Sequence, residues 1–255
     1  MDQGPYKAIF FDLDGTLLPM DMEEFMGAYL AAITEFVGTH GLEQVVFSAG
    51  LYSGIKAMSG NEGGRTNADV FWDTFFDVVD EDRDTWISLF GDFYENEFNA
   101  IGKDVAADPH AVESVRLLQE KGYPLVLATM PMFPLRAVEW RLGWAGLEAA
   151  DFQRITHFAN STSVKPHLAY FEENLTAAGL KPQEVLMVGN NTREDLACQE
   201  LGMDVWLITD FLINSNDFDL DTVKHGSFED FVAWVRDLPP CADAPVSFVA
   251  GLVEP

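Results

Sequence analysis

The stretch FFDLDGTLLP, residues 10–19, carries two carboxylates one residue apart, Asp12 and Asp14, directly after an apolar run. Ala8 to Phe11 reads as a buried strand, so both acids leave its carboxyl end. Negative charge packed against a protein interior is unfavourable unless something positive joins it. The pair therefore predicts a positive partner. A carboxylate held at a strand end can attack phosphorus and form an acyl phosphate, which splits one slow hydrolysis into two easier steps. Asp12 suits that part. A second carboxylate two residues on can protonate the leaving oxygen and later deprotonate water, the part that Asp14 suits. Gly15 permits the tight turn, and the Thr16 hydroxyl is placed to orient the acids. A calcium-binding EF-hand is excluded, because Leu17 stands where that loop requires glycine.

Positioning such groups requires strands that end together. From about residue 108 the pattern alternates, with helices at 110–121, 134–146, 166–178 and 194–201 and strands at 124–129, near 152–156, at 185–189 and at 204–209. Strands alternating with helices, several of the strands apolar throughout, predict an α/β fold with a doubly wound parallel sheet covered on both faces. Residues 18–105 differ: Met22, Phe25, Met26, Tyr29, Ile33, Phe36 and Val37 recur at helical spacing in an aromatic-rich block. The chain divides accordingly into a core of 1–17 and 106–240, a helical insertion of 18–105 and a tail of 241–255. Ligands in open α/β sheets bind outside the carboxyl ends of the strands, so an insertion leaving from Leu17 should form a lid over that crevice. Its glycine-rich run SGNEGGRTN at 59–67 is the expected substrate-facing loop, with Arg65 its one basic group and a grip for an anionic substrate. Met130 and Met132 should pack the crevice wall. GSFEDFVAWV at 226–235 reads as a final helix capped by Ser227.

Polar groups then stand at four strand ends: Asp12 and Asp14; Thr129 in VLATMP; Lys165, before Pro166 at a helix start; and GNNTRED at 189–195. In this order and spacing the chain resembles the haloacid dehalogenase (HAD) superfamily, mostly phosphatases and phosphotransferases, from Lys7 to about Thr209. The helical insertion is similar to that family's C1 cap. The resemblance implies a Rossmannoid core, Asp12 as nucleophile, Asp14 as acid and base, and Thr129 and Lys165 as ligands of the transferring phosphoryl group. It also implies Mg²⁺, a hard ion that takes oxygen ligands and bridges carboxylate to phosphate. By resemblance the metal ligands are Asp12, the backbone carbonyl of Asp14 and an acid of the fourth motif. There the chain departs from the family: Gly-Asp is replaced by Gly189-Asn190-Asn191, and the next acids are Glu194 and Asp195. Two readings stay open. Either the Asn190 side-chain carbonyl ligates the metal while Asp195 supplies charge, with Glu194 as an alternate ligand, or the metal site has decayed and the domain only binds phosphate groups.

The expected activity is that of a Mg²⁺-dependent phosphatase acting on a small phosphorylated metabolite through an aspartyl-phosphate. A phosphomutase would use the same core under a cap that excludes water. A dehalogenase is disfavoured, since displacing halide needs no acid at position 14, and a phosphonatase would need Lys56 or Lys103 of the cap to form an imine. The formal net charge of −27 opposes a general role on nucleic acid or an anionic membrane surface. The longest nearly apolar tract, APVSFVAGLV at 244–253, is about half the ~20 residues of a membrane span. Cys198 and Cys241 form no disulfide framework, and the N-terminus lacks the basic end and long apolar region of a signal peptide. A soluble cytoplasmic protein is expected.

Overall fold

The computed structural model describes residues 5–80 and 82–241; the expected tail beyond Cys241 lies outside them. Six parallel strands form one sheet in the order β3-β2-β1-β4-β5-β6. They are β1 (Ala8–Phe11), β2 (Leu125–Leu127), β3 (Arg154–Ile155), β4 (Val185–Gly189), β5 (Asp204–Ile208) and β6 (Lys224–Gly226). Sequence periodicity misses β6, a short and largely exposed edge strand reading KHG.

The strand β1 lies at the centre because AIFF is apolar on both faces. Alternate side chains point to opposite sides of a strand, and here Ile9 and Phe11 enter one hydrophobic cluster while Ala8 and Phe10 enter another. The first cluster is closed by α5 (Pro109–Glu120) and α8 (Phe228–Asp237), the second by α7 (Leu168–Ala178). Ser227 caps α8 as expected, its hydroxyl accepting from the Asp230 amide. The helix expected at 194–201 is a 3₁₀ segment, Leu196–Leu201, because Asp195 is drawn into the preceding loop.

Between β1 and α5 lie α1 (Met22–Thr39), α2 (Gln44–Ser59), α3 (Asn67–Phe76) and α4 (Arg83–Asp92), followed by a π turn (Phe93–Glu97) and a 3₁₀ turn (Phe98–Gly102). Asp21, Thr66 and Asp82 cap α1, α3 and α4 through side-chain oxygens. The helices are held by aromatic contacts: Phe47 stacks on Trp86, Phe71 of α3 meets Phe90 of α4 edge-on, and Phe98 stacks on Trp144 of the core helix α6 (Leu135–Trp144). Gly102 is what lets the last pair meet, since a Cβ there would stand 2.0 Å from the Trp144 ring. Among the described residues no helix is long and apolar enough to cross a membrane.

The glycine-rich loop takes a different part from the one its composition suggests. Asn67, fully buried, donates from Nδ2 to the carbonyls of Pro131 and Ser163 at 3.0 and 3.1 Å, and its own carbonyl accepts from Asn61 Nδ2 at 2.8 Å. Its backbone amide donates to Ser161. Pro131 lies two residues after Thr129 and Ser163 two before Lys165, so this amide pair ties the insertion to the two segments that carry candidate site residues. Buried carbonyls need such partners. Replacing Asn67 by Ala strands two of them and should lower stability by about 2–3 kcal/mol. A urea denaturation series would check this, and an unchanged midpoint would show that the insertion is tied elsewhere.

Candidate active site

The carboxyl ends of β1, β2 and β4 meet at Asp12. Its amide continues the ladder by donating to Val188 at 2.8 Å, and the Ala128 amide donates to Phe11 at 2.7 Å, which fixes the backbone on both sides of the carboxylate. Lys165 Nζ donates to Asp12 Oδ1 and to Asp195 Oδ1, both at 2.7 Å. Asp195 Oδ2 accepts from the amides of Asn190 and Asn191 at 3.0 and 2.9 Å. This chelation needs space above Gly189, where a Cβ would come within 2.2 Å of Asp195 Oδ2. Burial pushes the Asp12 carboxyl up to about 7, against the downward pull of the Lys165 ammonium, with Asp195 and Asp14 adding to the rise. For Lys165, burial opposes the charged form, but the two carboxylates override it and hold the ammonium well above its ordinary value.

Asp14 is buried beside this cluster and pairs through Oδ2 with Arg141 Nη1. Arg141 belongs to α6 and is only 1% exposed, with its guanidinium over the Phe133 ring. Asp14 Oδ1, Arg141 Nη2 and Thr129 Oγ1 are buried and find no hydrogen-bond partner among the described residues. Buried polar atoms without partners are unusual for a folded chain, and those of Asp14 and Arg141, which line one cavity, mark a place for a ligand. Thr129 itself is held rigidly, its carbonyl accepting from Thr156 and Tyr170 hydroxyls at 2.8 and 2.9 Å.

Asp12, Asp14, Lys165, Asn190 and Asp195 are thus brought together, with Thr129 two residues past Leu127, the last β2 position paired with β1. Arg65 is not. Its guanidinium is exposed and bonded to Asp73 of α3 at 2.7 Å, an acid nearly two turns into that helix. Asp195, expected among the metal ligands, is held by Lys165 at Oδ1 and by two amides at Oδ2, so in this structure it positions the lysine and the loop. Glu194 is half-buried, and burial raises its carboxyl. Arg141 escaped notice, although LRAVEWRLGW puts it on the same helix face as Ala137, Val138 and Leu142. A lone arginine on an apolar face demands a buried acid, and Asp14 supplies it.

For Mg²⁺ the fit rests on oxygen donors. Asp12 Oδ2, the oxygen not taken by Lys165, and Asn190 Oδ1 each lie within 3.4 Å of the Thr16 hydroxyl. Asn190 is steered there by its Nδ2 donating to Phe211 at 2.7 Å. Gly15 makes room with a φ of +74°, since a Cβ would stand 2.2 Å from that nitrogen. Among the described residues no group of three or more His, Cys, Asp and Glu side chains is arranged to hold a metal. Mg²⁺ does not need one, because it keeps waters and takes substrate oxygens alongside one or two protein ligands. The donor set fits an open, loosely held ion.

A family model described as haloacid dehalogenase-like hydrolase matches residues 6–202. Comparison with curated protein sequences finds no match. Similar solved structures include a predicted phosphoglycolate phosphatase from Haemophilus somnus, 20% identical, covering 91% of this chain and 99% of that one with a TM-score of 0.55. A HAD phosphatase from Thermococcus onnurineus is 18% identical over 92% and 99% of the two chains, TM-score 0.55. A 2-haloacid dehalogenase from Pseudomonas syringae pv. tomato is 19% identical over 91% and 98%, TM-score 0.60. At these identities the likeness concerns the fold.

The buried Arg141–Asp14 pair makes a sharp prediction. Removing only the cation, Arg141→Met, leaves an uncompensated carboxylate and should cost about 3–5 kcal/mol, whereas Arg141→Met with Asp14→Leu should recover most of it. Denaturant unfolding of the four members of the cycle measures both numbers, and additive losses would mean the two groups do not act as a pair.

Proposed function

Because the chain belongs to the haloacid dehalogenase-like hydrolases, we propose that it is a phosphatase that hydrolyses a phosphomonoester through an aspartyl-phosphate on Asp12. The observation that carries this reading is Asp14, buried two residues after the nucleophile with one oxygen on Arg141 and the other without a partner. Expelling an alkoxide requires a proton donor; expelling a halide does not. The dehalogenase alternative leaves this buried carboxylate, and the arginine built to hold it, without a task.

Substrate phosphate enters the crevice and its oxygens accept from the Thr129 hydroxyl, which has no other partner, and from Lys165. The Asp12 carboxylate attacks phosphorus, a new P–O bond forms, and the bond to the leaving oxygen breaks. Arg141 keeps Asp14 Oδ2, so the proton moves from Oδ1 to the leaving oxygen as the alcohol departs. Asp14 Oδ1 then takes a proton from water, whose oxygen attacks the phosphorus and frees Asp12 and inorganic phosphate. Lys165 stays charged throughout and holds the nucleophile in line. Mg²⁺ held by Asp12 Oδ2, the Asp14 carbonyl and Asn190 Oδ1 would neutralise phosphoryl charge when bound. The free cysteines Cys198 and Cys241 suit a reducing compartment such as the cytoplasm.

The deciding experiment assays phosphate release from a panel of phosphomonoesters, and halide release from 2-haloacids, with and without Mg²⁺. Phosphate release that vanishes in Asp12→Asn is expected; halide release alone would replace this reading with a dehalogenase. Since Asp12 attacks only as the carboxylate and its folded pKa is raised to about 7, kcat/KM at low Mg²⁺ should fall about tenfold per pH unit below that value. A profile flat from pH 7 to 5 would show that another group limits the rate.

Asn190→Asp sets two effects against each other. It exchanges the amide that donates to Phe211 for a carboxylate oxygen facing a carbonyl, so the metal-free variant should lose about 1–3 kcal/mol. The added charge should also tighten Mg²⁺, so thermal unfolding with and without Mg²⁺ should show a larger metal-induced rise in Tm than in the parent. Equal rises would remove Asn190 from the metal set.

A further inference from the structure

A cavity of about 420 Å³ lies between the helical insertion and the core, and Asp14, Arg141 and Glu194 are its polar groups at the core end. From there outward its walls are thioether, aliphatic and aromatic: Met26 of α1, Ile55 and Met58 of α2, Trp72 of α3, Phe90 of α4 and Met132 after β2. Polar side chains reappear at the mouth, where Arg136 and Glu95 pair with each other at 3.0 Å. Tyr29 and Tyr94 also line it, but their hydroxyls bond each other at 2.8 Å, so the middle of the cavity offers a substrate no charge and few free hydrogen-bonding groups.

We infer that the substrate is the phosphate ester of an uncharged, predominantly hydrocarbon alcohol whose chain or ring fills this cavity while the phosphate lies against Asp12, Thr129 and Lys165. The turnover part of this inference rests on the phosphatase reading; the binding part does not. Three observations carry it. First, the cavity reaches the candidate reacting end at Asp14, one of its lining residues, so the apolar space adjoins the group proposed to release the alcohol. Second, its size falls among ordinary small-molecule sites, which run to about 300–1,000 Å³. A body far smaller than this would leave it unfilled. Third, a polyhydroxylated or acidic body would leave its hydration in exchange for walls that cannot replace it, which is strongly unfavourable. Arg65, the group that would have met an acidic body, is turned away onto Asp73. The methionines add a further property. Their unbranched side chains adapt to different shapes, so the cavity should be strict about polarity and lenient about branching.

The test uses n-alkyl phosphates from ethyl to decyl, with glycerol phosphate as the polar control, and separately the binding of n-octanol to the Asp12→Asn protein by calorimetry. Hydrocarbon burial predicts that kcat/KM climbs about fourfold per methylene until the cavity is full, with glycerol phosphate far below hexyl phosphate. Octanol should bind saturably. Filling the space from either of two helices, Ile55→Trp or Met26→Trp, should move the peak of the series to shorter chains and weaken octanol at least tenfold. Octanol binding with no phosphate released from any ester would support the cavity assignment and overturn the phosphatase reading. Phosphate release that is flat or declining with chain length, together with no octanol binding, would overturn the inference and leave the phosphatase reading standing.

Discussion

The Lys165 ammonium, 3% exposed and 2.7 Å from both Asp12 and Asp195, is the contact on which the crevice depends. Each of the three groups arrives from a different segment: Asp12 from the end of β1, Lys165 from the turn before α7, and Asp195 from the loop after β4. A carboxylate alone in this interior would take up a proton or refuse burial. With the lysine between them, two acids are aimed at one ammonium, and three segments acquire a common reference point. The Gly189 contact follows from the same constraint, because Asp195 can reach both Lys165 and the two loop amides only by lying over a residue with no side chain.

A second cation, Arg141, repeats the arrangement one residue pair further along. The two acids of DLD are thus answered by two different bases, one fixed by the core's β4 loop and one mounted on α6. Their separation gives each acid its own cation: the lysine bonds Asp12 Oδ1 and the arginine Asp14 Oδ2. It also explains why the helical insertion packs so closely over α6. The rings of Phe25 and Phe133 cover the guanidinium face, and the Trp144–Phe98 stack holds the same helix one turn on.

Much of this was legible in the sequence. The central strands announce themselves as apolar runs because both faces of a parallel sheet are buried, and FDLDGT names the end of the first one. The edge strand KHG has no such signature, since its side chains face water. Arg65 misled because composition reports which charges are present and not which partner is nearest; Asp73 lies eight residues on and captures it. Asp195 was found, but a sequence shows an acid's spacing and hides which groups its oxygens engage, here Lys165 and two amides. The cavity is the hardest feature to foresee. A methionine that faces an empty space recurs at the same helical period as one that faces a neighbour, so Met26 and Met58 look like ordinary core until the helices are packed.

Five of the chain's nine methionines, Met22, Met26, Met58, Met130 and Met132, line that one cavity. Thioethers are soft toward oxygen-transfer agents, and a sulfoxide turns an apolar, pliable surface into a polar and chiral one. Half-buried sulfurs at the cavity wall are reached before the closed core is. Oxidative damage would therefore fall first on the cavity wall, while the buried lysine and its two carboxylates remained intact: a molecule still folded, but with a wetter and less pliable chamber.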